Sequence, residues 1–183
     1  MSHHIPKKEN KDLFLFGRHP IELALKNNRR TILELYYTQG SLTGLTLPPM
    51  IKAKCVDRAF LDSLVGKEAI HQGLVARVAP LTQPSLDEIL KKIKDKETSL
   101  ILILDQITDP HNVGAILRSA VAFDADAVLV PEAGAPAETG TLAKSASGAL
   151  ELIPLIRVSN LIRAMEKLKK ADFWCIGLDG YAK

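Results

Sequence analysis

The stretch SLILILDQITDPHNVGAILRSAVAFDADAVLV, residues 99–130, decides the fold of this chain. It opens with a continuous apolar run, SLILILD, which is typical of a strand buried on both faces of a sheet. After a polar loop, VGAILRSAVAFDA predicts a helix that begins near Val113, and AVLV predicts a second buried strand. A strand, a helix and a strand in this order indicate a parallel unit of an α/β sheet.

The same alternation continues after this stretch. ETGTLAKSASGAL (138–150) is rich in small residues and predicts part helix and part tight loop. LIPLIRV (152–158) then predicts a buried strand, SNLIRAMEKLKKA (159–171) an amphipathic helix, and FWCIGLD (173–179) a last strand. We therefore predict a parallel, doubly wound α/β sheet for residues 99–183.

The preceding residues, 13–78, predict a smaller compact unit of mixed α/β structure. A turn-rich segment, SLTGLTLPPMIKAKCV (41–56), divides it into two halves. Its other predicted elements are an apolar stub and a helix in FLFGRHPIELALKNNRR (14–30), a strand in TILELYYTQ (31–39), a helix in RAFLDSLVG (58–66) and a strand in HQGLVARVAPL (71–81).

Two segments fall outside these units. Residues 1–12 are polar and predict a flexible terminus, and residues 79–98 predict a linker. Within the linker, Ser85 is a candidate N-cap for a short helix. The lysines that follow it are those of a solvated face, although they could also contact RNA.

Composition limits the class of protein without deciding it. The chain has 183 residues, 46% of them hydrophobic, so it can bury a substantial core. A net charge of +3 permits a nucleic-acid partner but does not argue for one. No run approaches the roughly 20 apolar residues that span a membrane. We expect Cys55 and Cys175 to be buried, reduced thiols, which together with the polar start favours the cytoplasm.

The loop after the first buried strand is the first candidate site. Ligands of open α/β sheets bind at the carboxyl ends of strands, and a helix N-terminus there suits an anion. Asn112 is either the N-cap of the following helix or a functional residue, and Arg118 could project from the helix toward a phosphate. The loop contains one glycine rather than GxGxxG, which disfavours a nicotinamide-binding domain.

Four segments resemble one family. The segment DPHNVGAILRSA looks like the first signature of the SpoU (TrmH-like) RNA 2′-O-ribose methyltransferases. KSASGALELIPLIRVSNL is similar to a later family segment, and FGRHPIELAL and HQGLVARV resemble the start and end of the substrate-binding domain in its rRNA-modifying, RlmB-type branch. The matching residues include Asp109, Pro110, Asn112, Gly114, Ala115, Arg118, Ala120, Lys144, Ser147, Gly148, Ala149, Gln72 and Gly73.

The resemblance implies a two-domain enzyme. The first domain would be of the ribosomal-protein L30e/L7Ae type and would hold RNA, with rRNA the expected substrate. The second would be a SPOUT domain, whose trefoil knot binds S-adenosylmethionine and makes a homodimer of the full-length protein. No metal and no membrane enter this chemistry. By the same resemblance, Asn112 organises the active-site loop, and Arg118 contacts the substrate as a catalytic residue.

The RNA-binding residues are expected on the first domain. Arg18, in a glycine turn that displays cations, is one candidate. Arg29 and Arg30 follow a predicted helix and could bind phosphate or complement the helix C-terminus. His111 is an alternative base beside Asn112, but the family pattern does not require it, and a solvent-facing loop histidine is the simpler interpretation.

The family has two further signatures, a glycine- and glutamate-rich loop and a serine–leucine–asparagine run, which build the cofactor pocket. Neither is found up to Lys183, so cofactor-binding residues are not assigned. We therefore expect residues 99–183 to be an incomplete methyltransferase domain that binds S-adenosylmethionine weakly or not at all. The alternative function is that of a non-catalytic RNA-binding protein.

Overall fold

The computed structural model describes residues 13–178, which form two sheets. The predicted flexible terminus, residues 1–12, lies outside the described residues, as does Asp179 of the predicted last strand. Both sheets are covered by helices, and the predicted order of two α/β units along the chain is confirmed.

The first sheet is mixed, with strand order β1-β4-β2-β3. Strand β4 lies antiparallel to both β1 and β2, while the edge strand β3 runs parallel to β2. The strands and helices of this domain are β1 (Leu13–Phe16), α1 (Arg18–Lys26), β2 (Ile32–Tyr37), β3 (Ala53–Cys55), α2 (Arg58–Val65) and β4 (Leu74–Val78).

The second sheet is parallel throughout, with strand order β5-β6-β7. This confirms the α/β class predicted from the stretch at 99–130. Its elements are α3 (Leu86–Ile93), β5 (Ile101–Ile103), α4 (Pro110–Ala122), β6 (Ala127–Pro131), α5 (Gly140–Ser145), a 3₁₀ turn (Ala149–Glu151), β7 (Leu155–Val158) and α6 (Leu161–Lys170).

Helices cover both faces of the second sheet. Along β6, alternate residues point to opposite faces, as strand geometry requires. Val128 and Val130 pack with α4 and α5, whereas Ala127 and Leu129 pack with α3 and α6. The sheet is therefore doubly wound, as its alternating pattern predicted.

The predicted linker contains a helix that belongs to the second domain. Ser85 caps α3 in a reciprocal capping box with Glu88, which confirms the N-cap. Leu86, Ile89 and Ile93 are buried against the second sheet. Because an amphipathic helix is stabilised mainly by packing its apolar face, α3 is fixed to that sheet.

The two domains share one hydrophobic core. Leu13 and Leu15 of β1 pack in the same cluster as Leu117 of α4 and Leu142 of α5. Gly140, at the start of α5, lies so close to β1 that an added Cβ would be 2.4 Å from the carbonyl oxygen of Phe14. The first domain is therefore packed directly against α5.

Two expectations from the sequence are wrong, and one strand was not predicted. The unpredicted strand is β3 in the turn-rich segment, which pairs with β2 through backbone groups and needs little apolar patterning. Residues 173–178 form no strand, and Trp174 is 95% exposed. Cys55 and Cys175 are exposed rather than buried, because β3 is an edge strand and Cys175 lies in that segment without regular structure.

Glu34 on β2 is held as a carboxylate by three donors. Lys54 Nζ lies 2.7 Å from its Oε1, and Tyr36 Oη and Arg77 Nη2 lie 2.6 and 2.9 Å from its Oε2. The hydrogen bonds from Lys54 and Tyr36 lower the pKa of Glu34 from its ordinary 4.5 to about 2.

We expect Glu34→Gln to lower the free energy of unfolding at neutral pH. The folded-state pKa is depressed, so the stabilisation is complete above pH 4.5 and is lost as the pH falls toward 2. Urea unfolding of both proteins across this range measures the effect. A constant difference between wild type and variant from pH 5 to about 2 would contradict it.

Candidate functional site

Helix α4 begins three residues earlier than the sequence predicted. Asp109 is its N-cap, accepting a hydrogen bond from the backbone N–H of His111, and Pro110 occupies the first helical position. Proline is favoured there because a backbone N–H at the first helical position has no partner within the helix, so proline loses no hydrogen bond. Asn112 is therefore not the N-cap, and its side chain is released from that structural role.

Asn112 and Arg118 both lie on the exposed side of α4, the α4 ridge. They are six residues apart, roughly 9 Å along the helix axis and about 120° around it. Both are exposed, and the other side of the helix is buried through Val113 and Leu117. Within residues 13–178, Arg118 forms no ion pair. The two predicted catalytic residues are thus both accessible to a ligand.

The first turns of α4 are fixed by α5. Ser145 Oγ donates a hydrogen bond of 3.2 Å to the carbonyl oxygen of His111. Gly114 is buried directly opposite, and a Cβ added to it would lie 2.6 Å from Ser145 Cβ and 2.8 Å from the backbone nitrogen of Ala146. Only glycine permits this approach, which positions the ridge that carries Asn112.

We expect Gly114→Ala to destabilise the fold by about 1–3 kcal/mol, because overpacking must push α5 away from α4. Ala115→Gly, one residue along, is the matched control and should cost about 1 kcal/mol through helix propensity alone. Thermal unfolding compares the two. Equal stability of Gly114→Ala and wild type would show that the helices can separate without cost.

A polar cluster joins α5 to the first domain. Gln72 Oε1 accepts hydrogen bonds from the Lys144 ammonium at 2.9 Å and from the backbone N–H of Arg18 at 3.0 Å. The Arg18 guanidinium donates to the carbonyl oxygens of Ser41 and Thr43. Burial lowers the pKa of Lys144. Of this cluster, the sequence predicted a site role only for Arg18.

Arg29 and Arg30 lie at the opposite end of α1 from Arg18, roughly 12 Å or more along its axis. Arg29 is exposed and remains a candidate for contact with RNA. Arg30 is buried, and its side chain is 0% exposed. Its guanidinium lies 2.7 Å from Glu138 and donates to Glu151 at 2.9 Å and to the Ala79 carbonyl at 2.8 Å.

The expectation that Arg30 binds RNA is therefore corrected. Burial favours the neutral form, but the hydrogen bonds that Arg30 donates to Glu151 and the charges of Glu151 and Glu138 outweigh it and raise the pKa of Arg30. Asn27 completes the cluster by donating to Glu151 at 2.7 Å. Arg30 links the first domain to the 3₁₀ turn after α5. No exposed part of its guanidinium remains to bind a phosphate.

Two cavities, of about 520 and 320 Å³, lie in the first domain beside His71 and Gly73, and neither borders β5, β6 or β7. In the part of the chain that the structure describes, no three His, Cys, Asp or Glu side chains converge as metal ligands would. Among these residues no helix has the length and apolar character to cross a membrane.

Two family models match the two domains. Residues 99–183 match the SpoU rRNA Methylase family, and residues 14–84 match the RNA 2′-O ribose methyltransferase substrate-binding domain. The two matches define the class as RNA-modifying enzymes in which a substrate-binding domain precedes a methylase domain. The chain belongs to the SpoU family of RNA 2′-O-ribose methyltransferases.

Individual relatives agree with this assignment. The 23S rRNA (guanosine-2′-O-)-methyltransferase RlmB of Vibrio vulnificus is 36% identical over 185 residues, covering 92% of this chain and 71% of the relative. RlmB of Pseudomonas putida is 34% identical over 179 residues, with 92% and 71% covered. The chain thus spans about 70% of the length of these curated relatives.

Solved structures agree on the fold. The SpoU methyltransferase AviRb of Streptomyces viridochromogenes, in complex with AdoMet, superposes with a TM-score of 0.67 at 22% identity. An AdoMet-bound rRNA methyltransferase of Sinorhizobium meliloti gives 0.67 at 19% identity. The matches cover 88% and 89% of this chain but only 60% of each solved chain.

Proposed function

We propose that the whole protein transfers a methyl group from S-adenosylmethionine to a ribose 2′-hydroxyl of RNA, with ribosomal RNA as the substrate. The observation that carries the proposal is the packing of α5 between α4 and the substrate-binding domain. Asn112 and Arg118 face outward from α4, while Ser145 and Lys144 of α5 bond to α4 and to the first domain, respectively.

The residues of this chain provide the substrate side of the reaction. Methyl transfer requires the ribose hydroxyl to be positioned for in-line attack and to lose its proton. A guanidinium keeps its own proton, so Arg118 clamps a phosphate or stabilises the developing negative charge rather than acting as the base. The Asn112 amide, released from capping, organises the loop at the reacting ribose. S-adenosylmethionine supplies the methyl group, and no residue described here is assigned to it.

The RNA would lie across the first domain and the ridge on α4. Arg18 and Arg29 are its proposed phosphate contacts, since both remain outside the buried cluster that occupies Arg30. The relatives of this family that are named RlmB act on 23S rRNA, which makes this RNA the first substrate to test. We further propose that the whole protein is a cytoplasmic homodimer, as the family resemblance implies.

Transfer of a tritium-labelled methyl group tests the proposal. The whole protein is incubated with labelled S-adenosylmethionine and, separately, with unmodified transcripts of 23S rRNA, small-subunit rRNA and a tRNA. We expect label in 23S rRNA above the other two. Tight RNA binding without methyl transfer to any of the three RNAs would show that the protein binds RNA without catalysis. Transfer to tRNA alone would overturn the rRNA assignment.

A further inference from the structure

Lys144 is a half-buried cation on α5. Among residues 13–178 its ammonium forms no ion pair, and its hydrogen bond goes to the neutral amide oxygen of Gln72. Burial alone lowers its pKa, which means that the ammonium is partly stripped of water. A desolvated charge is costly unless a counter-charge compensates it. The position therefore suits an anionic ligand.

The surroundings of Lys144 come from both domains. Its Nζ lies over Gly17, where an added Cβ would be only 2.3 Å away, so a side chain at position 17 would displace the ammonium. The Gln72 oxygen accepts from the backbone N–H of Arg18 as well as from Lys144, which fixes the lysine beside the start of α1. An anion bound here would contact the substrate-binding domain and the methylase domain together.

The same segment is tied to the candidate catalytic helix. Ser145, the next residue, donates to the carbonyl oxygen of His111, which directly precedes Asn112. Because α5 is bonded both to the first domain and to α4, an RNA strand that contacts both can also contact this junction. Its backbone carries one negative charge per nucleotide, and a lysine recognises such a phosphate as a point charge.

We propose that Lys144, positioned by Gln72, binds a backbone phosphate of the RNA at the junction of the two domains. This inference rests on the proposed function, because it takes RNA as the ligand. It adds to the proposed RNA surface a residue at the domain junction, in addition to the arginines of the first domain and Arg118 on α4.

Filter binding to a radiolabelled 23S rRNA transcript over a KCl series tests the inference. Lys144→Met removes the charge, Lys144→Arg retains it, and Gln72→Glu introduces a carboxylate that neutralises Lys144 while accepting the same hydrogen bonds. Lys170→Met, at the exposed end of α6, is the matched control for the loss of one positive charge. Thermal unfolding of each variant separates a loss of fold from a loss of binding.

We expect Lys144→Met and Gln72→Glu to lower RNA affinity about tenfold at low salt and to reduce the salt slope by about 1. Lys144→Arg and Lys170→Met should bind nearly as wild type does. Gln72→Glu should unfold no earlier than wild type, because its new ion pair strengthens the junction. A purely structural lysine would not give this combination of retained stability and weakened binding.

Three outcomes would overturn the inference, and the first two show whether the proposed function fails with it. If wild type binds the transcript and both neutralising variants bind it equally well, Lys144 only fastens the domains and the proposed function stands. If wild type itself does not bind RNA, the inference and the proposed function fail together. A loss in Lys144→Met no larger than in Lys170→Met would also refute a specific site.

Discussion

Replacing Arg118 with alanine in the whole protein is expected to lower kcat/KM for RNA methylation by about 10²–10³-fold, the loss typical of one donor that stabilises transition-state charge. S-adenosylmethionine affinity should be unchanged, because Arg118 lies on the outward ridge that is assigned to the substrate. Stability should change little, since the side chain is exposed and forms no ion pair in the described part of the chain.

Two companion variants sharpen the measurement. Arg118→Lys keeps the charge but not the planar fork, so it should recover only part of the activity. Arg163→Ala removes an exposed arginine from α6 and should leave the rate unchanged. Calorimetric titration with S-adenosylmethionine supplies the second readout. A large loss of cofactor affinity with normal kcat at saturation would show that Arg118 contacts the cofactor rather than the RNA.

Replacing Arg30 with methionine is expected to lower the free energy of unfolding by about 3–5 kcal/mol, the usual cost of removing one partner of a buried ion pair. The substitution leaves two carboxylates uncompensated. The side chain of Glu151 is 2% exposed and that of Glu138 is 19% exposed. Because these residues belong to the second domain, their junction with the first domain should weaken as well.

Arg29→Met is the matched control, since it removes the same charge from the neighbouring, exposed position. It should change stability by no more than about 0.5 kcal/mol while weakening RNA binding and its salt dependence. Urea unfolding and RNA binding are measured on both variants. If Arg30→Met were as stable as Arg29→Met and bound RNA more weakly, the guanidinium would have to be accessible, against its burial in this structure.

The fold was predictable where the pattern of apolar residues is dense. The runs in β5, β6 and β7 are too continuous for surface elements, and a parallel sheet with helices on both faces follows from their alternation with helical segments. The strand β3 was not predictable, because an edge strand of three exposed residues carries almost no hydrophobic signal. The absence of a strand at residues 173–178 could likewise not be predicted, because their composition is typical of a strand.

The candidate site was predictable in part. Asn112 and Arg118 stand out in the DPHNVGAILRSA segment. The start of α4 was nevertheless predicted three residues too late, because the pair Asp109–Pro110 is itself a strong helix start. The burial of Arg30 depends on Glu138 and Glu151, more than 100 residues away, and no local pattern reveals such a pairing. Lys144 was singled out only by the family resemblance, because its exposure and its hydrogen-bond partners depend on the tertiary fold.

The methyl group is expected on a ribose hydroxyl of the RNA. The product nucleoside tests this expectation most directly. The whole protein is given S-adenosylmethionine with a deuterated methyl group and 23S rRNA transcript, and the RNA is digested to nucleosides for mass spectrometry. We predict that the label appears on the ribose fragment of a 2′-O-methylnucleoside and disappears in Arg118→Ala. Label on a base fragment alone, or the same ribose label in Arg118→Ala, would contradict the account.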